Sequence, residues 1–182
     1  MTDQKIIDEI VHSCCKSVCI TGGEPLLESD TCDIIQELHE RGVSIYLSTN
    51  GTKYMEQKGK LEKFIAKLSL PLDGYDEKSN GINGRHIFSQ GSKDESFLAV
   101  KEILEYYEHT PHDFAIKIGT VLTKKNADIE TFKKMYNFLK NYSIDMWKIY
   151  EIIPEGRGIE HSEDLVLTND ELDDFIMVDE ED

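Results

Sequence analysis

At 182 residues, 39% of them hydrophobic, the chain suits one domain with a real core. Lysine and arginine number 20 against 36 aspartates and glutamates, and the net charge of −16 argues against nucleic acid or an anionic membrane surface as a partner. No stretch reaches the roughly 18 consecutive apolar residues of a membrane span, and "MTDQKIIDEI" lacks the layout of a signal peptide, so no membrane partner and a cytoplasmic location are expected.

In chain order, Ile6, Ile7, Ile10 and Val11 recur at helical spacing and predict a first helix over residues 3–15, followed by a strand over 16–21. The strand runs into "TGGEP". A helix follows near residues 29–41, with Ser29 or Asp30 as cap, Ile34, Ile35 and Leu38 as its apolar face, and Gly42 as the left-handed terminator. "VSIYLST" reads as a second strand ending at "NGT", and a helix over 55–66 leads into the strand "KLSLPLDG". The polar, glycine-rich residues 76–92 read as a long loop carrying Arg85 and His86. A helix over 93–108, the strand "FAIKIGTVLT", a helix over 128–141 and the strand "MWKIYEIIP", with Trp147 in the core, complete the pattern. From Glu155 to Asp182 there are 12 acids and one base, Arg157, so residues 159–182 read as a solvated acidic segment after a core over 1–158.

Five nearly continuous apolar strands separated by helices predict an α/β fold with a parallel sheet buried on both faces. Such sheets place their sites in the loops beyond the carboxyl ends of the strands. Two glycines at a strand end let the backbone approach a ligand, and Glu24 can accept hydrogen bonds from an ammonium group. The glycine pair by itself is equally compatible with a tight turn. Cys14, Cys15, Cys19 and Cys32 lie in the first fifth of the chain and form no disulfide framework. The first three read as core or helix-end thiols, Cys32 reads as structural, and the scattered histidines show no metal-like spacing.

Taken together, "ITGGEPLL", "LSTNGT", "LSLPLDGYDE" and "GTVLTKKN" resemble the radical S-adenosylmethionine (radical SAM) superfamily in order and strand-end placement. The resemblance implies a partial parallel (β/α) barrel, here lacking its first strand. It places Gly22, Gly23 and Glu24 at the amino group of S-adenosylmethionine, with Pro25 fixing the turn, and Thr49 and Asn50 beside the methionine or ribose. Asp73, Lys117, Thr120 and Ile153 are the further cofactor-binding positions, and Ser69 stands in for a family serine at the position of Pro71. The family holds a [4Fe–4S] cluster on CxxxCxxC. Cys15 and Cys19 have the first spacing, but the third position is Gly22, so no metal ligand is assigned in this chain.

The resulting expectation is the core of a radical SAM oxidoreductase, activating-enzyme-like, whose amino-terminal cluster segment is absent. With that segment, such an enzyme abstracts a hydrogen atom through a 5′-deoxyadenosyl radical; this chain alone is expected to be inactive. The substrate, a small molecule or a protein, is open. Two alternatives stand beside it: a cluster-less binding or interaction module of the same fold, and a phosphate-binding α/β enzyme that uses the glycine pair as an anion nest. An unpaired sheet edge at the first strand also predicts an edge-to-edge homodimer.

Overall fold

The computed structural model describes residues 3–83, 95–153 and 162–176. Helix α1 (Asp3–His12) precedes strand β1 (Ser17–Ile20), and α2 (Thr31–Glu40), β2 (Ser44–Ser48), α3 (Tyr54–Leu61) and β3 (Ile65–Pro71) follow. A short α4 (Glu77–Asn80) and the long α5 (Glu95–Glu108) precede β4 (Ala115–Leu122), then come α6 (Ile129–Leu139) and β5 (Met146–Glu151). Two further helices, α7 (Ser162–Leu165) and α8 (Asn169–Ile176), lie in the acidic segment. Residues 84–94, with Arg85 and His86, and residues 154–161, with Arg157, fall outside the described residues.

All five strands pair in parallel in sequence order, β1-β2-β3-β4-β5. Parallel neighbours need a crossover, and each is helical here, which gives the open βα wind of a partial barrel. The expectation that both sheet faces are buried does not hold. Burial alternates along β2, β3 and β4, with Ile45, Leu47, Leu68, Leu70, Ile116 and Ile118 inside and their neighbours only half-covered. The helices therefore cover one face, and the other borders open space. Strand side chains alternate sides, so parity decides which residues reach that open face.

The covered face packs against helix stripes at three- and four-residue spacing: Ile35 and Leu38 of α2, Val100, Ile103, Leu104 and Tyr107 of α5, Met135 and Leu139 of α6. Gly42 ends α2 at φ +83, and the amide of Val43 returns to the carbonyl of Leu38. Asp30 sits at the amino end of α2 without a side-chain capping bond. Helix α3 stops at Leu61, earlier than its periodicity suggests, because Ile65 already pairs with Ile45.

The acidic segment is not wholly solvated. Leu167 is 8% exposed and packs with Leu122 and Phe132, with Leu172 and Phe175 alongside. Thr168 and Glu171 form a reciprocal capping pair at the start of α8, and Lys124 reaches Glu171 at 3.6 Å. Apolar residues at 167, 172 and 175 thus hold this strongly acidic stretch on the body of the protein. The cysteines also divide: Cys32 is buried, Cys15 half-buried and Cys14 exposed just past the end of α1, while the exposed Cys19 of β1 is neither a core nor a helix-end thiol. Cys19 lies on the edge strand, where no further strand among the described residues covers it.

Candidate functional site

The carboxyl ends of the strands meet at a cavity of about 430 Å³ on the open face. Thr21, Gly22 and Gly23 contribute from the end of β1, Ser48, Thr49 and Asn50 from β2, and Ser69 and Pro71 from β3. Lys117, Gly119 and Val121 alternate along β4, and Tyr150 closes the wall from β5. A volume in the roughly 300–1,000 Å³ range suits one small organic ligand.

Gly22 has φ +142, a conformation that a side chain strongly disfavours. A Cβ at Gly23 would meet nothing within 4 Å, so this loop leaves space for a ligand instead of packing against protein. Pro25 opens a 3-10 turn, Pro25–Leu27, and is itself buried.

Glu24 does not line the cavity. Its carboxylate joins two loops: Oε1 accepts from the Leu26 amide at 3.1 Å and from the Thr49 hydroxyl at 2.6 Å, and Oε2 accepts from the Asn50 amide at 2.6 Å. Three hydrogen bonds to one carboxylate fix its geometry between the two loops. Thr49 in turn accepts from the Gly51 amide at 3.1 Å, and Asn50 accepts from the amide and hydroxyl of Thr52. Beneath this junction, Gln57 donates to the Leu26 carbonyl at 2.8 Å and accepts from the Cys32 thiol at 3.0 Å. Burial pushes the Cys32 thiol up from its ordinary pKa, so it stays protonated as the donor.

Six of the residues expected from sequence therefore share the cavity wall: Gly22, Gly23, Thr49, Asn50, Ser69 and Lys117. Asp73 does not. It is 1% exposed, and its carboxylate accepts from the Val121 amide at 2.8 Å, tying the end of β3 to β4. Thr120 is fully buried on the helix side, donating to the Leu72 carbonyl and accepting from the Trp147 indole. It follows Gly119 by one residue, and one step along a strand reverses the face. Ile153 is 75% exposed, beyond the last paired residue of β5. The "TKKN" loop is also structural, since the Asn126 carboxamide bonds the Thr123 amide and the carbonyls of Asp73 and Val121.

The reading by sequence overlooked Tyr150, whose hydroxyl lies 2.6 Å from the Lys117 ammonium. The signal was present: Trp147 packs on Phe132 at the helix side, so Lys148 and Tyr150, at odd separations from it, belong to the open face. Among the described residues, no group of three histidines, cysteines, aspartates or glutamates is placed to hold a metal ion. No helix there is long and apolar enough to cross a membrane.

Comparison with known proteins places these features. The family description of the Radical SAM superfamily matches residues 2–139. The chain is 28% identical over 127 residues to a protein of Methanocaldococcus jannaschii named as a glycyl-radical enzyme activating enzyme, covering 70% of this chain and 46% of that one. A solved domain of pyruvate-formate lyase-activating enzyme from Bacteroides vulgatus superposes with a TM-score of 0.60 at 18% identity, over 88% of this chain and 90% of that domain. SuiB of Streptococcus suis, solved with its precursor peptide SuiA, gives 0.63 at 21% identity, over 82% of this chain and 32% of SuiB. The chain spans about half the length of the curated relatives it matches. It belongs to the radical SAM superfamily, whose members use S-adenosylmethionine and a [4Fe–4S] cluster.

Proposed function

We propose that the cavity at the ends of β1–β5 is the S-adenosylmethionine site of a radical SAM enzyme of the activating-enzyme kind. The observation that supports this best is the convergence of an open glycine pair, the Glu24-locked loop and the polar groups of Asn50, Ser69 and Lys117 on one cavity of suitable size. A carboxylate offers about four acceptor sites, and three on Glu24 are taken, so one is left for a ligand ammonium. Glu24 does not itself line the cavity but holds together the β1 and β2 loops that do, and its remaining acceptor site is the one that a cofactor amino group would reach. The amides of Gly22 and Gly23 approach the amino acid portion, Ser69 hydrogen-bonds from the cavity floor, and Lys117 offers a cation to the carboxylate or ribose.

S-adenosylmethionine supplies hydrogen-abstracting radical chemistry once a reduced [4Fe–4S] cluster donates an electron to it. The cysteines here do not form the ligand set for that cluster, because Gly22 stands at the third position and Cys19 is held in β1. The 182-residue chain by itself is therefore expected to be silent: anaerobic reconstitution with iron and sulfide, then dithionite, should give no 5′-deoxyadenosine, and its appearance would overturn this point. The relatives support a polypeptide or small-molecule substrate, since one is named as activating a glycyl-radical enzyme and SuiB was solved with a peptide.

Calorimetric titration with S-adenosylmethionine tests the site directly. Saturable binding lost in Glu24→Ala is expected. Unchanged binding in that variant would point instead to a phosphate-type nest at the glycines, and no binding at all would favour a module that has lost the cofactor. The edge of β1 carries no partner strand among the described residues, which supports pairing with a second copy. Light scattering at high protein concentration should show a dimer, and a clean monomer would exclude it.

A further inference from the structure

In a chain of 36 acids and 20 bases, the wall of the strand-end cavity is charged the other way. Among the described residues that line it, Lys117 is the one cation and none is an acid. Lys117 has no carboxylate partner among the described residues; its ammonium donates to the Tyr150 hydroxyl at 2.6 Å and lies 5.3 Å from the centre of that ring.

Gly119 makes this pair possible. Tyr150 stands opposite Val121 in the register of β4 and β5, yet its ring lies back along β4, so that a Cβ at Gly119 would come 3.2 Å from its Cε2. Side chains at 117, 119 and 121 share the open face, and the glycine between the other two leaves the gap that the ring fills. Gly119 is not among the glycines of positive φ, so no turn or left-handed backbone requires it. A glycine inside a strand lowers stability relative to alanine, and what it allows here is the close approach of the tyrosine.

An ammonium has three N–H groups and no acceptor, so the 2.6 Å contact uses a lone pair of the Tyr150 oxygen and leaves its O–H free to donate. Two N–H groups of Lys117 remain as well. Among the described residues, no other group bonds to the Tyr150 hydroxyl or the Lys117 ammonium. The pair therefore offers donors alone, from two atoms 2.6 Å apart, with one positive charge. Its complement is a single carboxylate, which accepts through two oxygens and brings one negative charge. A neutral hydroxyl or amide would leave the charge uncompensated.

We propose that Tyr150 is a carboxylate-binding residue of the cavity: its oxygen holds the Lys117 ammonium, and its O–H donates, beside that ammonium, to one carboxylate of the bound ligand. Lys117 as a cofactor contact rests on the reading above; Tyr150 and the strand glycine that admits it are the addition. The carboxylate belongs to the methionyl end of the cofactor or to a substrate beside it, and both present the same chemistry to the pair.

Tyr150→Phe keeps the ring and removes the hydroxyl, whereas Gly119→Val keeps the hydroxyl and pushes the ring off Lys117. Calorimetry compares S-adenosylmethionine with its decarboxylated form in the 182-residue chain and in both variants. The line width of the acetate methyl signal in NMR reports acetate binding with and without saturating S-adenosylmethionine. If the cofactor supplies the carboxylate, both variants should lose about tenfold in affinity for S-adenosylmethionine and nothing for the decarboxylated form. If a substrate supplies it, acetate should bind beside S-adenosylmethionine in the wild type and in neither variant, while both cofactor forms bind all three chains alike. Equal weakening of both cofactor forms, or a carboxylate preference and acetate binding that survive in either variant, would overturn the proposal and leave Tyr150 as wall filling. Acetate binding that requires Tyr150 in a chain that binds no S-adenosylmethionine refutes only the cofactor reading; with neither ligand bound, both fall.

Discussion

The junction at Glu24 makes the sharpest quantitative prediction. Thr49→Val keeps the shape of a residue that is 4% exposed but removes a hydroxyl that donates to Glu24 at 2.6 Å and accepts from the buried Gly51 amide at 3.1 Å. A hydrogen bond to a charged group contributes about 1.5–3 kcal/mol, and an orphaned buried amide costs about 1–3 kcal/mol. Allowing for relaxation, the variant should lose about 2–4 kcal/mol of stability. In a Glu24→Ala background the first part is already gone, so Thr49→Val should then cost only about 1–2 kcal/mol, a coupling of about 1–2 kcal/mol. Urea unfolding followed by the fluorescence of the single tryptophan, Trp147, measures all four corners of the cycle. Strict additivity, with coupling below about 0.5 kcal/mol, would refute the claim that this carboxylate ties the two loops.

Gly51→Ala should destabilise by about 1–3 kcal/mol in the same assay, because Gly51 sits at φ +89 and a Cβ there would come 3.2 Å from the Ile103 methyl; a neutral result would contradict that backbone conformation. Asp128 caps α6 through the Glu130 and Thr131 amides, and Asp128→Ala should cost about 1 kcal/mol. The Thr131 hydroxyl first, then those amides, hold the Asp128 carboxyl below its ordinary pKa of 3.8. The capping contribution is thus fully present above that value and fades as pH falls below it, so wild type and variant should converge in stability in acid. Leu167→Ala should cost about 2 kcal/mol and expose residues 162–176 to protease, since Leu167 holds this segment on Leu122 and Phe132; an unchanged cleavage rate would mean that it contributes no docking. Brief alkylation of the native chain should label Cys14 and Cys19 well before Cys32, as mass spectrometry of the peptides would show.

Much of this protein is legible along the chain because local rules generate it. The alternation of helix and strand, the left-handed Gly42 and the glycine pair after β1 follow from periodicity and backbone chemistry. The resemblance named both Ser69 and Lys117, which share the cavity wall, and the capping pair Thr168–Glu171 is visible as a threonine and a glutamate three apart. The resemblance in four strand-end motifs led to the same superfamily as the match over residues 2–139.

What the tertiary structure decided is which side of the sheet stays uncovered. An apolar strand reads alike whether helices bury one face or both, so the half-covered alternation of β2 to β4 emerged only when all helices packed on one side. From that single choice follow the cavity position of Tyr150, the inward turn of Thr120 and the exposure of Cys19 on the edge strand. Asp73 and Glu24 look alike in sequence, each a carboxylate just past a strand. Long-range partners separate them: the Val121 amide takes Asp73 into the frame of the sheet, while Thr49 and Asn50 tie Glu24 to the β2 loop that lines the cavity. Donors brought from 25 to 48 residues away assign those roles, and no local pattern in the chain specifies such distances.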